Sequence, residues 1–121
     1  MRFLLIDPMK KGITIWLTGL PCSGKSTIAK KLLKKLNAFW LDGDVIRNTH
    51  ISEDLGFSPE DRETHLMRMS SIASLVTESG QNVVCSFVSP NKRVREKIRS
   101  EQRYFVEVFV NASVEKCTDR D

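Results

Sequence analysis

The sequence predicts a parallel α/β fold, and three observations carry that expectation. An apolar, β-branched run, Ile13-Thr14-Ile15-Trp16-Leu17, feeds a glycine loop that opens onto a helical pattern. Strand patterns then alternate with helical ones along the whole chain. The stretch from Asn82 to Val88 is almost continuously apolar, as in a central parallel strand covered on both faces.

The elements follow in order. Residues 13–17 read as the first strand. Ile28, Leu32, Leu33 and Leu36 recur at helical spacing, with Lys30, Lys31, Lys34 and Lys35 between them, so a helix is expected over about 25–37. Ala38-Phe39-Trp40-Leu41 reads as a short buried strand ending in Asp42-Gly43-Asp44, and residues 45–52 fit either a short helix or a loop. Ser58-Pro59-Glu60-Asp61 is a helix start, with Ser58 as N-cap, Pro59 at the first position and acids in the first turn. Leu66, Met69, Ala73 and Val76 mark that helix's buried face, and Gly80 ends it. A charged helix is expected over about 91–102, a fourth strand over 104–110, and a last helix capped by Ser113 that stops at Asp121. A single domain accounts for all of this, and the pattern reads as unfinished at its C-terminal end.

Composition sets the outer limits. The 121 residues suffice for one domain with a real core, and 40% hydrophobic with 28% charged residues is ordinary for a soluble chain. No apolar run is long enough to span a membrane, and Met1 to Ile6 is too short for a signal peptide. Cys22, Cys85 and Cys117 are widely spaced and read as reduced thiols, consistent with a cytoplasmic protein. The net charge of +4 suits a polyanionic substrate, but the lysines of the first helix form an ordinary solvated face. Without aromatic residues interleaved among them, nucleic acid is not an expected partner.

Gly19-Leu20-Pro21-Cys22-Ser23-Gly24-Lys25-Ser26-Thr27 fits the pattern G-x-x-x-x-G-K-[ST] at every specified position. Placed between a strand and a helix, such a loop directs consecutive backbone N–H groups and the positive helix end at phosphate oxygens. Lys25, expected on a solvent-facing loop, reaches the β- and γ-phosphates, and the Ser26 hydroxyl can ligand Mg²⁺. ATP and Mg²⁺ are therefore the expected nucleotide and metal. Asp42 and Asp44, two apart at a strand end, share one face in extended chain, where they can hold Mg²⁺ or orient an acceptor hydroxyl. As a bare dipeptide Asp-Gly would be a plain turn. Arg47, Phe57 and Arg62 close by favour a site.

These segments, with Leu41 to Arg47, Asp54-Leu55-Gly56-Phe57-Ser58-Pro59-Glu60-Asp61-Arg62, Phe87-Val88-Ser89-Pro90 and Phe105 to Val110, resemble the adenylyl-sulfate kinase family over about residues 12–121. That family phosphorylates the 3′-hydroxyl of adenylyl sulfate with ATP, on a P-loop three-layer sandwich with a parallel sheet. The resemblance implies that Gly19 to Thr27 hold the ATP phosphates. Asp44, with Asp42 beside it, would bind Mg²⁺ or accept the hydroxyl proton. Arg47 and Arg62 would clamp the phosphosulfate, a bidentate task suited to guanidinium. Phe57 would stack on the acceptor's adenine, and backbone groups around Val88, Ser89 and Pro90 would line the same pocket. Ser86 or its neighbours stand where many P-loop enzymes carry a strand-end aspartate, which shifts the metal onto Asp42 and Asp44.

The chain departs from the family in three places. The stretch from Arg47 to Asp54 is one residue longer than usual. Where the family commonly has D-R-x-x-N-x-R-R, the chain has Asp61-Arg62-Glu63-Thr64-His65-Leu66-Met67-Arg68, so His65 replaces an asparagine of the acceptor pocket and Met67 an arginine. The basic lid and last strand of the family are not in this sequence. A same-fold kinase for another nucleotide-linked anhydride, and a nucleotide-binding module without transfer, are the competing readings. A small nucleotide acceptor is the expected partner. A homodimer is compatible with the sequence, which does not fix the assembly.

Overall fold

A computed structural model describes residues 11–20, 22–89 and 91–110. Four parallel strands, β1 (Thr14–Thr18), β2 (Ala38–Asp42), β3 (Asn82–Ser86) and β4 (Phe105–Phe109), lie in the order β2-β3-β1-β4. In register, Ile15 sits between Val84 of β3 and Val106 of β4, and Leu41 of β2 lies opposite Cys85. Helices α1 (Lys25–Lys35), α2 (Gly43–Arg47), α3 (Pro59–Glu78) and α4 (Lys92–Glu101) make the connections.

Side chains alternate across a strand, and that alternation divides the core in two. Trp16, Val83 and Cys85 face one side, where they pack with Leu66, Met69 and Ala73 of α3 and Val94 and Ile98 of α4. Leu17 and Val84 face the other side, against Ala29, Ile28, Leu32 and Leu33 of α1. The result is a three-layer sandwich with all strand C-termini, and hence the glycine loop, at one edge of the sheet.

The local signals account for the helix ends. The Ser58 side chain accepts a hydrogen bond from Asp61 N, with Pro59 opening α3. Asn91 Oδ1 accepts from Arg93 N and Val94 N at the start of α4. Residues 43–52 become two short elements, α2 and a 3₁₀ turn at His50–Ser52, each begun by a side-chain cap from Asp42 or Thr49. β2 differs from expectation. Among the described residues it is an edge strand paired with β3 alone, and Phe39 on it is 51% exposed. The expected helix after Ser113 lies outside the described residues, as do Pro21 and Pro90.

Candidate active site

The phosphate loop leaves β1 and closes at Gly24, whose φ of 99° lies in the left-handed region that glycine adopts without a Cβ clash. Ser23 N donates to Leu20 O at 3.0 Å, shaping the turn. Lys25 is buried, at 6% exposure, rather than solvent-facing as its loop position suggests. Its Nζ donates to the carbonyls of Gly19 at 2.8 Å and Leu20 at 2.5 Å. Burial lowers the Lys25 pKa, and the nearby Asp44 carboxylate opposes that shift. Ser26 and Thr27 are exposed on the first turn of α1. Cys22 is disulfide-bonded, which corrects the expectation of three reduced thiols; Cys85 is free and buried, and burial raises its pKa.

The second element of the site begins where β2 ends. Asp42 Oδ1 accepts from Asp44 N at 3.0 Å, capping α2 and turning the Asp44 carboxylate out into solvent. Gly43 between them is required by a close approach, since a Cβ there would stand 2.9 Å from the Phe87 ring. Asp42 and Asp44 are therefore not equivalent: one of them has an oxygen committed to the backbone.

Lys25, Ser26, Asp42, Asp44, Arg47, Phe57, Arg62, His65 and Val88 all line one open cleft of about 870 Å³. Arg47 donates to Leu55 O at 3.3 Å and Gly56 O at 3.2 Å, and its guanidinium carbon lies 4.7 Å from the Phe57 ring centroid. Phe57 is 69% exposed, which excludes a place in the core. Ser89 is turned away, with its hydroxyl accepting from Trp16 Nε1 and its carbonyl from Arg95. Ser86, at the end of β3, lines the cleft and accepts from Trp40 Nε1 at 2.9 Å.

Reading the sequence missed Arg93 and Ser52. Arg93 lines the cleft beside Asn91 and pairs at 2.9 Å with Glu63, which lines it too. In a helix as charged as α4, nothing in the sequence singles it out. Ser52 lies in the ambiguous stretch, yet it is buried with its hydroxyl 2.7 Å from His65 Nδ1.

His65 is itself buried, its ring edge-on to Phe87 at 6.1 Å. Burial first, and then the charges of Arg47 and Arg68, hold its pKa down from 6.5 to about 4. The depressed value gives stability that is present above pH 6.5 and lost as pH falls towards 4, where the unfolded imidazole takes a proton that the folded one refuses. That difference is worth about 2 kcal/mol once screening from the open cleft is allowed for. In His65→Phe this part of the pH dependence should vanish. Urea midpoints at pH 7 and pH 4.5 for both proteins test it, and an equal drop in each would contradict it.

Mg²⁺ bound with a nucleotide uses one or two protein oxygens plus phosphate oxygens and water. The Ser26 hydroxyl and the Asp44 carboxylate, on one cleft, are donors of the right chemistry. Among the described residues, no helix is long and apolar enough to cross a membrane.

Comparison with known proteins agrees with this fold. A family model described as adenylylsulphate kinase matches residues 11–121. The adenylyl-sulfate kinase of Microcystis aeruginosa is 44% identical over 117 residues, which cover 93% of this chain and 64% of that protein. The one from Halothermothrix orenii is 41% identical, covering 93% and 63%. The chain thus spans somewhat under two thirds of the length of these relatives. Among solved structures, the Mycobacterium tuberculosis APS kinase in complex with AMPPNP and APS superposes with a TM-score of 0.82 at 38% identity, covering 93% of this chain and 69% of that one. With family model, relatives and fold in agreement, the chain belongs to the adenylyl-sulfate kinase family.

Proposed function

We propose that the protein transfers the γ-phosphoryl group of ATP to the 3′-hydroxyl of adenylyl sulfate, giving 3′-phosphoadenylyl sulfate and ADP. The observation that carries this reading is the single cleft that joins the phosphate loop to Asp44 and to the Arg47, Phe57 and Arg62 group. A nucleotide switch has no need of such an acceptor side.

Phosphoryl transfer proceeds through a loose, in-line transition state, so the protein's task is to position groups and neutralise charge. In this reading the loop amides from Gly19 to Thr27 hold the β- and γ-phosphates. Lys25 exchanges its carbonyl partners for phosphate oxygens. Mg²⁺ held by Ser26 and Asp44 would neutralise charge on the β- and γ-phosphates. Asp44, or Asp42 next to it, orients the acceptor hydroxyl and takes its proton. Arg47 and Arg62 meet the phosphosulfate, Phe57 offers its exposed face to adenine, and His65 and Val88 complete the wall. Ser89 enters only through its backbone.

A coupled ADP-release assay on the full-length protein, run with ATP over a panel of nucleotide anhydrides, tests the proposal. Release should depend on acceptor, with kcat/KM for adenylyl sulfate at least about tenfold above the other acceptors. Preference for a different anhydride would reassign the acceptor. ADP release indifferent to any acceptor would leave a nucleotide hydrolase or binding module instead.

A further inference from the structure

Three side chains along one stripe of α3, at positions 61, 65 and 68, each hold a different point of the segment between α2 and α3. Asp61 Oδ2 accepts from Gly56 N at 2.8 Å. His65 Nδ1 meets Ser52 Oγ at 2.7 Å. Arg68 forks onto Asp54 Oδ1 and Oδ2 at 2.7 and 2.9 Å, and donates to Ile51 O at 3.0 Å. The spacings of four and three place all three on one helix face. The segment they hold ends in the Leu55 and Gly56 carbonyls that orient Arg47, followed directly by Phe57.

Of these three links, the outer two lie where solvent reaches them, so water can take the place of a lost partner. The middle one is buried at both ends, with Ser52 at 2% and His65 at 6% exposure, so losing either partner strands a polar group. Nδ1 of His65 is engaged by Ser52, and the ring is packed on Phe87. We infer that His65 and Ser52 are positioning residues: their bond anchors the segment that sets Arg47 and Phe57 against the acceptor, instead of His65 reading the acceptor's base directly. This inference rests on the proposed kinase function for its kinetic consequence, and on the geometry alone for its structural one.

Ser52→Ala removes the hydroxyl, and His65→Phe keeps the ring against Phe87 while removing the nitrogen. In the full-length protein each should raise KM for adenylyl sulfate about tenfold, the loss of one buried hydrogen bond, and leave KM for ATP unmoved. The double variant should be no worse than the singles, because either change breaks the same bond. Independently of any substrate, amide exchange at Leu55, which donates to Ser52 O, and at Gly56 should quicken about tenfold in both singles. Unchanged exchange overturns the inference. So do KM effects that multiply in the double variant, or that fall equally on ATP. If the wild type does not turn over adenylyl sulfate, the functional proposal falls, and the exchange rates alone decide the anchor.

Discussion

Lys25→Ala is expected to lower kcat by about a thousandfold, the scale seen when one preorganised charge-stabilising donor is removed from a transition state. The loop amides would still cradle the phosphates, so KM for ATP should move far less than kcat. The structure adds a stability term that the sequence alone does not suggest. Nζ is buried and satisfies the Gly19 and Leu20 carbonyls, which would have to find water in the alanine variant. Lys25→Met, which keeps most of the buried stem, should therefore melt closer to wild type than Lys25→Ala and be equally slow. Steady-state kinetics beside thermal melts separate the two effects. Near-normal turnover in either variant would remove Lys25 from the phosphoryl transfer. A methionine variant that failed to fold would make the lysine structural.

Whatever in this fold rests on local chemistry was legible in the sequence. Ser58 and Pro59 announce the start of α3 because a side-chain cap and a fixed φ act within one turn. The run from Val83 to Phe87 reads as central because both its faces are covered, and all five residues are buried. The place of β2 was not legible. Edge or centre depends on which strands pair with it, and Phe39 carries the same apolar signal in either position. The site divides in the same way. The glycine loop and the Asp42-Gly43-Asp44 turn announce themselves because their spacing is their geometry. Ser52 with His65, and Glu63 with Arg93, are 13 and 30 residues apart, so no periodicity links them. His65 shows how this misleads: from sequence it looks like a substitution inside the acceptor pocket, whereas its Nδ1 meets a serine that only the tertiary fold brings near.

Asp44→Asn should be the second most damaging single change, lowering kcat by about a hundredfold or more, while Asp42→Asn should cost much less. The asymmetry comes from the turn. Asp42 already gives one oxygen to Asp44 N as the cap of α2, and asparagine caps as well as aspartate. Asp42→Ala, by contrast, should lose about 1 kcal/mol of stability with its cap. Among the described residues the Asp44 carboxylate has no such structural duty, and it faces the cleft close enough to Lys25 to oppose the fall in the lysine pKa. An amide in its place is the same size but cannot neutralise Mg²⁺ or accept a proton, so the lost rate is chemical. Two further measurements distinguish those roles. If Asp44 holds Mg²⁺, the asparagine variant needs far more Mg²⁺ to reach half-maximal rate, and its pH profile keeps its shape. If Asp44 takes the hydroxyl proton, the acid limb of the pH profile disappears and the Mg²⁺ dependence stays. Turnover within about threefold of wild type in Asp44→Asn would exclude both roles, and the same loss in Asp42→Asn would show that the turn does not divide the labour as its hydrogen bonding indicates.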